Sequence, residues 1–258
     1  MDPDLLPFVG LLVGTLIGLT GVGGGAILAP ILLIFFQLEI IVVIAIDLTF
    51  SCITKSISAI FHIRKRTIDW SIAKNLWKGS LPASLLVIVF INQNSLLLSG
   101  LITVVLSYLI LVSGLILIFK DKIQIFVDNF HRSIKLNESK NILMTTFSGS
   151  FIGAVVSATS IGAGAIGTAI LSILYPNKLK PHSLVGTDLI HAIPVSFIAG
   201  LAYFSYGNLD LSILGSLLLG SIPGAIIGSR AIFNFPQHLL RIVIGSALVV
   251  SSIFLLLF

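Results

Sequence analysis

Residues 96 to 119 run from Leu96 to Phe119 without one charged side chain, and residues 242 to 258 do the same. Each run is about the length a helix needs to cross the hydrocarbon core of a bilayer. In lipid every backbone N–H and C=O must be bonded within the protein, so such a run is a helix; a lipid-facing barrel would show alternating ten-residue strands instead. Composition extends this constraint to the whole chain. Of 258 residues, 56% are hydrophobic and 10% charged, with a mean hydropathy of +1.12. The chain therefore reads as an all-α polytopic membrane protein. Its single cysteine, Cys52, excludes an internal disulfide and a cysteine-rich metal site. The opening MDPD carries two acids and no basic stretch, so no cleavable signal peptide is expected. A net charge of +5 does not imply nucleic acid, because the basic residues are confined to a few connections.

The chain also repeats itself. An offset of 139 pairs Gly10 with Gly149, Gly14 with Gly153, Gly23 with Gly162 and Gly25 with Gly164. Beyond Tyr175 the offset becomes 141 and pairs Asp47 with Asp188, Asp69 with Asp210, Ser80 with Ser221, and Pro82 with Pro223. Internal duplication of this kind is common in membrane carriers. The orientation of the halves follows from charge, since cytoplasmic connections collect Lys and Arg. All basic residues except Lys55 lie in 62–78, 119–141, 175–184 and 229–241, and none lies near 37–39, 91–95 or 204–211. This predicts two inverted repeats, each a short-helix hairpin with a Gly-rich loop plus three transmembrane helices. Residues 1–119 form the first repeat, 120–140 a cytoplasmic linker, and 141–258 the second repeat. The hairpins are expected over 5–20 with 25–36 and over 142–158 with 164–175, the three crossings of the first half over 40–62, about 77–91 and 96–119, and both termini outside the cytoplasm of a multi-pass cell-membrane protein.

The hairpin loops carry the first functional signal. GVGGG at 21–25 sits inside an apolar run, although each helix-interior glycine costs roughly 1 kcal/mol relative to alanine. A chain that reverses inside the membrane needs bare backbone, and the second copy, TSIGAGAIG at 159–167, repeats the device. Each loop precedes a helix whose first N–H groups lack intrahelical partners, which is the construction of an anion site. Thr20, Gly21, Gly23, Gly24 and Gly25 in the first loop, and Ser160, Gly162 and Gly164 in the second, are the candidate contacts. A purely structural reversal would need the same glycines. Gly10, Gly14 and Gly18, spaced by four, read as helix-packing positions. A G-x-G-x-x-A match at Gly21, Gly23 and Ala26 has no preceding strand and is not a dinucleotide loop.

Ionisable residues inside spans carry the second signal. Asp47, Ser51, Lys55, Ser58 and His62 fall along one stripe of a helix, and Asp188 and His191 share a face of its counterpart. A charged residue at bilayer depth costs about 2.5 to 3.5 kcal/mol on insertion scales, so these groups must face a polar interior. Lys55 is either a cationic partner for an anionic substrate or a structural partner of Asp47 or Asp188. Asp188 and His191 are either a proton-carrying pair or a hydrogen-bonded anchor. His62 is expected at the cytoplasmic interface, with Trp70 and Trp77 as interfacial anchors.

GLTGVGGGAILAP at 18–30, DLTFSCITKSISAIFHIRKRTIDW at 47–70, GTDLIHAIPVSFIAGLAYFSYGNLD at 186–210, and the paired GSLPAS and GSIPGA resemble the TauE/SafE family of sulfite and organosulfonate exporters over almost the entire chain. The second loop departs from the family's triple glycine by reading SIGAG. The resemblance implies a carrier of small sulfur-containing anions. With the residues above, it leads to an expected secondary transporter of a small oxyanion, in which the loops and Lys55 bind the anion and Asp47, Asp188 and His191 couple protons. The expected partners are the anion, protons and the lipid bilayer, with no cofactor, no metal and no nucleic acid. A cation carrier or channel using Asp47 and Asp188 is the alternative, and an intramembrane enzyme built on His191 and Asp188 is a remote one.

Overall fold

The computed structural model describes residues 3–22, 24–93, 95–123, 138–176, 178–206, 209–232 and 237–257. After a short 3-10 turn at Pro3–Leu5, the helices are α1 (Leu6–Thr20), α2 (Gly24–Phe35), α3 (Ile40–Arg64), α4 (Trp70–Gln93), α5 (Ser95–Ile118), α6 (Glu138–Thr159), α7 (Ala165–Leu174), α8 (Pro181–Ser205), α9 (Leu211–Ala231) and α10 (Gln237–Leu257). Seven of them, α3 to α6 and α8 to α10, are long and apolar enough to cross a membrane. α1, α2 and α7 are shorter apolar helices, whereas α6, expected as the first short helix of the second hairpin, is long enough to cross. Most of the expected linker, 124–137, lies outside the described residues.

Two expected boundaries shift. The crossing placed at about 77–91 begins at Trp70, because Asp69 caps it: Asp69 Oδ1 accepts from the N–H groups of Ser71 and Ile72, each at 3.1 Å. Asp210 does the same for α9, accepting from Ser212 and Ile213 at 2.9 and 3.1 Å. Side-chain caps of this kind satisfy helix N–H groups that have no partner within the helix. α6 is also longer than its counterpart α1, its apolar part spanning Asn141–Thr159.

Packing joins each half to the other. α1 packs on α9, α4 on α6, α5 on α10, and α3 on α8. Exchanging the halves turns the first of these pairs into the second and leaves the last two unchanged. The α1–α9 seam is made of glycines at fourfold spacing: a Cβ on Gly14 would lie 2.5 Å from the Ser221 carbonyl oxygen, and one on Gly18 2.7 Å from that of Ala225. Small residues let helix backbones approach this closely in a medium where burial of apolar surface gives no drive. The matched positions 10, 14 and 18 of α1 meet 217, 221 and 225 of α9 in the same order, so these helices run parallel. α3 and α8 run antiparallel, since His62 meets Gly186 and Thr49 meets Gly200. These two are the most enclosed helices, with 61% and 67% of their most apolar windows buried, against 22% for α10. Phe8, Leu86, Leu143, Phe147 and Leu219 lie exposed on the outer helices, where lipid covers them.

Candidate functional site

The two hairpin loops are built alike. α1 ends at Gly21, whose φ of 70° is left-handed and whose N–H reaches Ile17 O at 2.8 Å. α6 ends the same way at Ser160, with φ of 61° and its N–H on Val156 O at 2.7 Å. Glycine adopts this conformation freely, whereas a serine there carries strain. Thr20 and its counterpart Thr159 brace the corners. Thr20 Oγ1 donates to Leu16 O at 2.7 Å and accepts from Val22 N–H at 3.1 Å. Thr159 Oγ1 donates to Val155 O at 2.8 Å and accepts from Ile161 N–H at 3.2 Å. The Thr20 hydroxyl hydrogen is thus used within its own turn.

Gly24 and Gly25 open α2 and are buried, while Gly23 lies outside the described residues. Gly164, at φ 111°, precedes α7, and Gly162, at φ 124°, accepts the Gly167 N–H through its carbonyl at 2.8 Å. The loops meet each other, because the Ser160 carbonyl rests directly against Gly25. Both helix N-termini are lined by the protein's own carboxylates. Asp47 Oδ2 would be 2.9 Å from a Cβ on Gly25, and Ser51 Oγ 2.8 Å from one on Gly24. Asp188 Oδ1 lies against Gly167, and the Gly164 N–H faces the Asp188 carboxylate without closing a full hydrogen bond. Bare glycine at these positions makes room for a carboxylate.

Asp47, Lys55, Asp188 and His191 are each at most 1% exposed. Ser160 Oγ donates to Asp47 Oδ2, a bond from the second half into the first. Asp47 Oδ1, Ser51 Oγ and both oxygens of Asp188 have no hydrogen-bond partner among the described residues. Lys55 is the cation whose field both carboxylates and His191 feel, and no carboxylate among the described residues comes within ion-pair distance of it. The tight ion pair left open for Lys55 is therefore absent. A buried charge normally needs a bonded partner, so this group of one cation and two carboxylates holds unused bonding capacity.

His191 is fixed from α4. Its Nε2 lies 3.0 Å from Ser80 Oγ, its carbonyl accepts from Trp77 Nε1 at 3.1 Å, and its Nδ1 has no partner among the described residues. Trp77 therefore ties α4 to the site, whereas Trp70 is 46% exposed. His62 is fully buried against Gly186, with Nδ1 2.8 Å from Thr67 Oγ1. Trp77, Ser80 and Gly167 were not among the expected site residues. Ser80 was signalled by its match to Ser221 and Gly167 by its place at the end of the second glycine loop, whereas nothing in the sequence joined Trp77 to the site.

The family model for the sulfite exporter TauE/SafE matches residues 6–255. The chain is 32% identical to the probable membrane transporter protein YjnA of Bacillus subtilis (strain 168), covering 95% of this chain and 96% of that one. It is 24% identical to the probable membrane transporter protein YdhB of the same organism, covering 98% and 99%. No solved structure matches the chain.

Proposed function

The chain belongs to the TauE/SafE family and is a multi-pass membrane transporter, and from that premise we propose that it carries a small oxyanion, sulfite or an organosulfonate, coupled to protons, by alternating access of two inverted halves. The observation that carries the reading is the meeting of two glycine loops, each opening a helix, around buried Asp47, Lys55 and Asp188. Helix N-termini and one lysine attract an anion. Two carboxylates, one at each N-terminus, compete with it, and a proton on one removes the competition at its own N-terminus. Proton and anion thereby travel together.

The antiparallel passage of α3 and α8, which carry the matched residues Asp47 and Asp188, supports the inverted relation of the halves. The placement of all basic residues but Lys55 supports a topology with both termini outside. A second reading has its own support: the unpartnered oxygens of Asp47, Ser51 and Asp188 are the ligand type a cation prefers. Uptake of radiolabelled sulfite into proteoliposomes, with and without an imposed pH gradient, separates the two. Saturable uptake that rises with the gradient is expected. Cation uptake that survives Lys55→Ala and fails in Asp47→Asn or Asp188→Asn would replace the oxyanion reading.

A further inference from the structure

A cavity of about 280 Å³ opens at the basic face, lined by Lys120, Asp121, Ser172, Pro181 and Arg241 among others. Behind it lies a chamber of about 20 Å³, enough for roughly one water. This inner chamber touches Thr20 and Val22 of the first loop, Thr168 in the first turn of α7, and Val185, one turn before Asp188. Lys120 and Arg241 line both spaces, so their side chains stand between the surface and the loops.

We infer that Lys120 and Arg241 form a docking site for the transported oxyanion on the basic face, separate from the buried site between the loops, and that the anion passes it on the way in from that side.

Two observations support this. The two cations come from different helical segments and converge on one cavity. The acid in the same lining, Asp121, is 64% exposed and lies 3.7 Å from Arg241 and 3.6 Å from His238, so an incoming anion shares Arg241 with it. Burial, with the like charge of Arg241 beside it, lowers the Lys120 ammonium to about 8, while Asp121 and Asp188 act in the opposite direction. An anion placed between Lys120 and Arg241 relieves their mutual repulsion.

The duplication supplies an internal control. At the offsets that relate the halves, the counterparts of Arg241, Thr168, Ser172 and Val185 are Gly100, Ala29, Leu33 and Ile44. The matching path at the opposite end has no charge and no hydroxyl at these four positions. The docking site therefore makes the two faces unequal in their affinity for the substrate. The net direction of flux still belongs to the gradients.

The inference rests on the oxyanion reading, and its test works without transport. In a Cys52→Ala background, Ser172→Cys places a thiol in the cavity, and the exposed Pro181→Cys serves at the rim should the buried substitution disturb folding. The detergent-solubilised full chain is reacted with a sulfonated methanethiosulfonate and with its quaternary-ammonium analogue. Each rate is divided by that of the same reagent with a free small thiol, whose thiolate itself favours the cation. On that scale the anionic reagent is expected to be favoured about tenfold, between the water and near-surface limits for a unit charge at close range. Lys120→Gln and Arg241→Gln should each bring the normalised ratio towards one. A normalised ratio of one, or a ratio that neither substitution moves, would overturn the docking site. A charge preference without sulfite uptake would leave the docking site standing and remove sulfite. Uptake without a charge preference would remove the docking site alone.

Discussion

Asp47 and Asp188 occupy matched positions in the two halves and are held differently. Asp47 receives a hydrogen bond from Ser160 of the other half, whereas neither oxygen of Asp188 has a partner among the described residues. The surrounding residues follow the same rule. Lys55 in the first half faces the role of Ser196 in the second, His191 that of Phe50, and Ser160 that of Gly21. Duplication kept the backbone plan and distributed the polar groups singly, so that each carboxylate depends on residues from both halves. A centre of this kind is asymmetric inside a symmetric frame, which lets one end of the transport path differ from the other.

The largest effect is expected from removing the group that has no duplicate. Lys55→Gln leaves both carboxylates without their shared cation, and sulfite uptake into proteoliposomes should fall to the level of empty vesicles. Retained uptake would mean that the two carboxylates are the functional centre and Lys55 is incidental.

The second test addresses the carboxylates themselves through thermal unfolding in detergent. Asp188→Asn removes a buried charge with no bonded partner and should raise stability by about 1–3 kcal/mol. Asp47→Asn gives up a bonded charge and should not. Ser160→Ala should lower stability by about 1.5–3 kcal/mol, the range for hydrogen bonds to charged groups. In double-mutant cycles Ser160 should couple to Asp47 and not to Asp188. Equal shifts for the two aspartates would erase the distinction between them.

The smallest effect lies at the two helix caps outside the spans. Asp69→Ala and Asp210→Ala should each cost about 1 kcal/mol. Only Asp69 also meets Lys178, at 2.9 Å. Partial burial works against its ionisation, but the hydrogen bond from Lys178, the N–H groups of Ile72 and Ser71, and the Lys178 charge together hold its carboxyl below the usual range. Its contribution is therefore complete above the ordinary carboxylate range and is lost as pH falls through the lowered value. Lys178 is 55% exposed, which limits that pair to about 1 kcal/mol or less. Thermal unfolding against pH should show a steeper acid limb for the natural chain than for Asp69→Ala.

Much of this architecture was legible because lipid permits few alternatives. Charge-free runs fixed the helices, the glycine offsets revealed the duplication, and helix spacing put Asp47, Ser51 and Lys55 on one stripe. Boundaries were harder. Asp69 reads as one more charge in a basic connection until its side chain is seen to cap α4. Contacts between halves were not legible at all, since nothing in the order of residues shows that Ser160 reaches Asp47 or that Trp77 reaches His191. The cover over His62 was hidden for the same reason: it sits two residues from Arg64 in the sequence, and Gly186 from α8 lies over it. Local pattern describes a helix face, and what that face meets depends on a partner more than a hundred residues away.

The bond from the Trp77 indole to the His191 carbonyl has an optical consequence. The chain has two tryptophans, and Trp70 is the exposed one. With Trp70 replaced by Phe, the remaining fluorophore sits where α4 touches α8, beside the buried carboxylates. If the proposed alternating access parts α4 from α8, this bond breaks and the Trp77 emission reports it in unlabelled protein.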